Sequence, residues 1–218
     1  MQKFLSNKLT IALWRLIRFG ILLVLISVPQ YALVLLTKQK VSYLEAWAFF
    51  LIAYAIALFF LLKTVRPYHV FKRPNLEQLK LMFYAWLAIY ALNIIYSTLS
   101  MGSQTENNLV LEQLFALSRG VTFIMATMTI IFAPLCEELL FRGVLINSFA
   151  PKYRGWAIFI SGLAFGLVHL NSTIVGSLLY IGIGWILAYC YCRYNNLTLN
   201  WGIHFLVNLP ATLFILFS

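Results

Sequence analysis

The chain contains no aspartate, and its only acidic residues are six glutamates. Charged residues make up 10% of its 218 residues, whereas hydrophobic residues make up 62%. This balance excludes a soluble domain of this size and is typical of a polytopic membrane protein. The absence of aspartate also excludes an intramembrane protease that works with a pair of aspartates.

Cysteine is scarce, and its placement excludes further classes of protein. Cys136, Cys190 and Cys192 lie in or at the ends of apolar runs, without the spacing of a zinc site or of a disulfide framework. The sequence has no HExxH motif, which argues against a zinc protease of that helical type. Ser161 and Gly162 match the nucleophile turn of a rhomboid-like serine protease poorly.

Long apolar runs fill most of the chain and predict an all-α, polytopic transmembrane helical bundle with a polar cavity. We expect about seven spans, and one missed or extra span is left open. The predicted spans cover residues 16–37, 42–62, 81–100, 118–136, 155–170, 174–192 and 200–217. The chain is interpreted as a single membrane domain of residues 1–218, with scaffold helices in 1–117 and a site-bearing core in 118–218.

The basic residues concentrate between the apolar runs and give a net charge of +10. This pattern indicates membrane topology and contact with lipid headgroups, and not binding to nucleic acid. Most of these basic residues lie before span one and in the loops after spans two, four and six. If successive spans cross the membrane in opposite directions, these segments all lie on the same side. The positive-inside rule then predicts a multi-pass protein of the cell membrane with a cytoplasmic N-terminus and an external C-terminus.

Two of the six glutamates are adjacent and lie inside the apolar stretch APLCEELLFRGVLI. Ionisable groups at membrane depth are costly and mark functional sites. Pro134 should start or kink a helix here, on which Glu138 and Arg142 are four residues apart and should neutralise one another. Glu137 lies about 100° around the helix from Glu138, without such a partner, and suits a general base or acid. The alternative is a buried ion-pair network that only packs the bundle.

A histidine ends the next apolar run, GWAIFISGLAFGLVHL. Phe165 and His169 are four residues apart and share a helical face. Gly162 and Gly166 permit a close helix approach, which would bring His169 near Glu137. The alternative is a lone histidine at the end of a span.

The last span carries His204 and Asn208, which are four residues apart and face the same way. Together they offer two hydrogen-bond donors directed at one point, which suits a developing oxyanion. The alternative is that they form interhelical hydrogen bonds that hold the bundle together.

Three motifs, EExxxR, FxxxH and HxxxN, occur in this order from Glu137 to Asn208. Together they resemble the CPBP family of CAAX-prenyl proteases and bacteriocin-processing enzymes, also called the Abi family, over about residues 118–210. The resemblance implies an intramembrane glutamic endopeptidase. In that family pattern Glu137 and His169 activate a water, His204 and Asn208 form the oxyanion site, and Glu138 and Arg142 organise the carboxylate.

The resemblance also implies a membrane-associated or lipidated peptide substrate within the lipid bilayer and no cofactor. The short chain resembles bacterial members, some of which serve bacteriocin processing or self-immunity.

A zinc ion held by Glu137, His169 and His204 is the chemical alternative, although Asn208 beside His204 favours the metal-free site. A non-catalytic membrane partner and a proton-coupled transporter are further alternatives. The transporter should show symmetric repeats with broken helices, and the sequence has none.

Overall fold

The computed structural model describes residues 2–116, 118–169 and 173–217, whose regular secondary structure is helical throughout, as the sequence predicts. Five α-helices precede the motif-bearing core, and they are α1 (Gln2–Ser27), α2 (Tyr31–Thr37), α3 (Tyr43–Val65), α4 (Leu76–Leu99) and α5 (Glu106–Phe115). Four more helices follow, and they are α6 (Arg119–Ser148, in five successive segments), α7 (Arg154–Val168), α8 (Ile174–Tyr194) and α9 (Leu197–Phe217).

Five helices of the described residues are long and apolar enough to cross a membrane. They cover Thr10–Thr37, Tyr43–Tyr68, Leu76–Leu99, Gly120–Ser148 and Ile174–Tyr194. The predicted count of seven spans is therefore not confirmed. One of the two other predicted spans falls on α7, whose 15 residues are fewer than the roughly 20 that a perpendicular crossing needs.

The fourth predicted span ends too early, because α6 continues past residue 136 to Ser148. Both glutamates of the first motif therefore lie inside this helix and not at its end. Within α6, π-helical turns at Met128–Phe132 and Glu138–Leu145 alternate with α-helical turns. Single π-helical turns inside α-helices often occur at functional sites.

The first π-helical turn explains how Pro134 fits inside α6 without ending it. The Ala133 amide donates to the Met128 carbonyl, five residues earlier. The same pattern would pair residue 134 with the Thr129 carbonyl, but proline has no N–H to donate. Asn208 of α9 supplies the missing donor, since its Nδ2 lies 2.8 Å from the Thr129 carbonyl oxygen.

Glycines let α7 and α8 pack backbone against backbone, as the glycine spacing predicts. A Cβ atom added to Gly184 would lie 2.8 Å from the Gly162 carbonyl oxygen, and one added to Gly166 would lie 2.7 Å from the Ile181 nitrogen. This contact holds the end of α7, with His169, close to α8.

Replacing Gly184 with alanine should destabilise the protein by about 1–3 kcal/mol, because the new Cβ would press on backbone that cannot turn aside. The measurement is thermal unfolding in detergent. Gly155→Ala is the control, since a Cβ at Gly155 meets nothing within 4 Å. Equal unfolding midpoints for the two variants would contradict the close helix contact.

Candidate active site

The centre of the site is an ion pair between Glu138 and Arg142, and both residues are fully buried. Arg142 Nη1 lies 3.1 Å from Glu138 Oε1, so the two side chains meet across one helical turn as the spacing predicts. Arg142 Nη2 donates to the Gly184 carbonyl oxygen at 3.1 Å. The guanidinium carbon also lies 4.7 Å from the ring centre of Phe165. The pair therefore joins α6 to α7 and α8.

His204 of α9 lies between the two adjacent glutamates. Its Nδ1 is 3.1 Å from Glu138 Oε1, and its Nε2 is 3.8 Å from Glu137 Oε2. A carboxylate beside one ring nitrogen of a histidine fixes the orientation of the ring. Glu138 thereby directs the second nitrogen of His204 towards Glu137. The sequence predicts no ion-pair partner for Glu137 on its own helix. In the structure Glu137 faces the His204 imidazole across the bundle.

Asn200 is a site residue that the motifs do not include. It is fully buried, and its Nδ2 donates to Glu138 Oε2 at 3.0 Å and to the Leu187 carbonyl oxygen at 2.7 Å. Both carboxylate oxygens of Glu138 are therefore engaged. The sequence does carry a signal for Asn200, because residues 200, 204 and 208 form one polar stripe at a spacing of four on an apolar helix.

His169 follows the C-terminal end of α7, and its ring orientation is set by the backbone. Its Nδ1 lies 2.7 Å from the Phe165 carbonyl oxygen. A carbonyl only accepts, so Nδ1 carries the proton and Nε2 is the basic nitrogen of the neutral ring. One face of the imidazole stacks on Tyr180, with ring centres 4.4 Å apart and planes 14° apart.

Glu137 and His169 both line a cavity of about 730 Å³. The Glu137 side chain is 21% exposed, whereas that of Glu138 is 1% exposed. The two neighbouring glutamates thus have different surroundings. Glu138 is enclosed by its hydrogen-bonding partners, and Glu137 opens to the cavity.

Asn208 lies one turn from His204 on α9 but is engaged with α6 through the Thr129 carbonyl oxygen. Next to this contact, the hydroxyls of Thr129 and Thr212 are 3.2 Å apart. One N–H of the Asn208 amide therefore forms an interhelical hydrogen bond, which is the alternative to an oxyanion role for this residue. The amide has a second N–H for any other acceptor.

The structure thus brings Glu137, Glu138, Arg142 and His204 into one cluster and places His169 on the same cavity. Within residues 2–116, 118–169 and 173–217, no three His, Cys or Glu side chains are grouped to hold a metal ion.

The apolar helices and this buried ionic cluster define a multi-pass membrane protein with an ionisable site inside the bundle. Residues 119–210 match the family model described as Rce1-like, type II CAAX prenyl endopeptidase. This part of the chain therefore matches the CPBP/CAAX protease family, as the three motifs predict. The match supports a CAAX-type intramembrane endopeptidase. Neither the curated proteins nor the solved structures contain a significant match to the chain.

Glu138→Gln should destabilise the protein by about 3–5 kcal/mol, because Arg142 would remain as an uncompensated buried charge. Glu137→Gln should cost far less, since its side chain opens to the cavity. Thermal unfolding of both variants in the same detergent measures the difference. Equal losses of stability would contradict the structural role assigned to Glu138, and Glu77→Gln on the exposed first turn of α4 is the control.

Proposed function

We propose that the protein hydrolyses a peptide bond in a membrane-associated or lipidated peptide by direct attack of a water molecule. One observation carries this proposal: Glu137, alone of the adjacent pair, presents its carboxylate to the cavity that His169 also lines. A general base needs a basic atom within reach of water, and Glu138 is enclosed by its partners.

In the proposed reaction, Glu137 takes a proton from the water as the water oxygen attacks the scissile carbonyl carbon. His169 orients the same water through its basic Nε2. The tetrahedral intermediate then collapses, the C–N bond breaks, and Glu137 passes its proton to the departing amine. No bond forms between substrate and enzyme, so a single water supplies the hydroxyl of the new carboxyl group.

His204 is proposed to stabilise the oxyanion, together with the second amide N–H of Asn208. In this role His204 donates from both ring nitrogens, from Nδ1 to Glu138 Oε1 and from Nε2 to the oxyanion beside Glu137. Fixed donors aimed at a developing oxyanion are a main source of catalysis in a site shielded from water.

The orientation and the biological role are narrower proposals. The distribution of basic residues supports a cytoplasmic N-terminus and an external C-terminus. A bacterial origin and a role in bacteriocin processing or self-immunity rest on the family resemblance, and a bacteriocin gene beside the coding sequence would support them. These narrower proposals do not affect the proposed reaction.

Glu137→Gln should lower kcat by at least about 100-fold, because the variant keeps the size of the side chain and loses its base. The measurement is cleavage of a panel of membrane-anchored and prenylated peptides in liposomes. Thermal unfolding verifies that the variant is folded, and Glu77→Gln serves as the unaffected control. Cleavage by folded Glu137→Gln near the wild-type rate would contradict the mechanism.

Cleavage by the wild type should continue unchanged after dialysis against a strong chelator, because water activation is assigned to Glu137 and His169. The same assay, repeated with added zinc, measures this directly. Loss of activity with the chelator, and its return with zinc, would favour the zinc site of Glu137, His169 and His204 over the proposed mechanism.

A further inference from the structure

The short helix α5 lies outside the residues that match the family model, yet it lines the cavity that holds Glu137 and His169. It reaches the cavity through Glu106, Leu109 and Val110, whose spacing of three and four places them on one face of the helix. Leu109 is 44% exposed and Val110 is 53% exposed. These apolar side chains therefore present open surface towards the cavity, where a bound peptide would cover it.

Thr105 fixes the start of α5 to the rest of the bundle. Its Oγ1 accepts a hydrogen bond from the Asn108 amide at 3.3 Å, which caps the helix. The same oxygen lies 3.3 Å from the hydroxyl of Tyr180 on α8. Thr105 is 3% exposed, so this contact is shielded from solvent.

Tyr180 extends the connection from α5 to the proposed base. Its ring lies against the imidazole of His169 with centres 4.4 Å apart and planes 14° apart. A second contact also holds the His169 ring, since its Nδ1 lies 2.7 Å from the Phe165 carbonyl oxygen. Tyr180 is therefore placed to set the position of the His169 ring while its hydroxyl contacts Thr105.

We propose that α5 forms a substrate-contacting wall of the active-site cavity and that the Thr105–Tyr180 contact holds this wall against His169. Leu109 and Val110 then determine specificity, by packing against apolar side chains of the peptide beside the scissile bond. Tyr180 is a positioning residue for His169. The inference rests on the proposed protease function, and it assigns the choice of substrate to a segment outside the matched domain.

The first test removes the hydroxyl contact from either side with Tyr180→Phe and Thr105→Val. Tyr180→Phe should raise KM for a cleaved peptide by roughly 3- to 10-fold, the effect of losing one hydrogen bond, and Thr105→Val, which also loses the cap of α5, should raise it at least as much. In both variants kcat should stay within about 2-fold of wild type because the ring stack is kept. The double variant should be no worse than Thr105→Val, since that variant already lacks the contact with Tyr180. Tyr189→Phe and Thr98→Val, at exposed positions, are the matched controls.

Tyr180→Leu tests whether the Tyr180 ring positions His169, as distinct from the hydroxyl contact with Thr105. It removes the stacked ring as well as the hydroxyl. It should lower kcat by roughly 10-fold beyond Tyr180→Phe, within the range of general-base effects. Equal kcat values for Tyr180→Phe and Tyr180→Leu would overturn the positioning role. Unchanged KM in Tyr180→Phe and Thr105→Val, or additive effects in the double variant, would overturn the wall contact.

A second readout needs no catalysis and therefore separates this inference from the proposed function. Hydrogen exchange of residues 106–115 in lipid nanodiscs should increase at least 3-fold in Tyr180→Phe, and by more in Thr105→Val, because Thr105→Val also loses the cap of α5. The two exposed control variants should match the wild type. Unchanged exchange in α5 would overturn the inference even if the wild type cleaves peptides. Increased exchange in the two variants, together with a wild type that cleaves no peptide, would support the contact and contradict only the protease function.

Substitution of the wall itself tests whether Leu109 selects the substrate. Leu109→Ala should raise KM roughly 3-fold or more for a peptide with a large apolar residue beside the scissile bond, because less apolar surface is covered. For a peptide with alanine at that position, the change should be smaller. Equal effects on the two peptides would overturn the assignment of Leu109 as a specificity-determining residue.

Discussion

The fully buried ion pair of Glu138 and Arg142 is the interaction on which the site depends. Taking two charges out of water costs several kcal/mol for each ion, and the cost is offset only when geometry and hydrogen bonding are good. Glu138 meets this condition through His204 and Asn200, whereas Arg142 donates one hydrogen bond, to the Gly184 carbonyl oxygen, and its Nε and Nη1 have no hydrogen-bond partner among the described residues. The partners belong to α6, α8 and α9, so satisfying the charges also fixes these helices relative to one another.

The same constraint gives the two adjacent glutamates different tasks. Because successive residues of a helix point about 100° apart, a carboxylate that is enclosed at position 138 leaves position 137 facing another direction. That direction is the cavity, and His204 Nε2 lies 3.8 Å from Glu137 Oε2. In the proposed mechanism one carboxylate therefore orients an imidazole and the other handles the proton of water.

Local spacing predicts much of this arrangement. The all-α fold, the Glu138–Arg142 pair and the glycine contact between α7 and α8 follow from periodicities of three to four residues. Asn200 continues the spacing of His204 and Asn208, so the same periodicity predicts that it shares their helical face. The contact between Asn208 and the Thr129 carbonyl cannot be predicted in this way. It depends on a π-helical turn in which the Thr129 carbonyl receives a hydrogen bond from a side chain. The approach of α5 to the cavity is also a tertiary contact, with no periodic signal in the sequence.

In the proposed mechanism the ion pair positions His204 and does more than stabilise the bundle. The most direct test of this role is the double variant Glu138→Leu/Arg142→Met, which replaces both charges with apolar side chains of similar size. Such replacements of buried pairs are often neutral for stability, so thermal unfolding should stay close to wild type. Cleavage should nevertheless be lost, because His204 no longer has its carboxylate partner. A folded double variant that cleaves peptides at the wild-type rate would contradict the account.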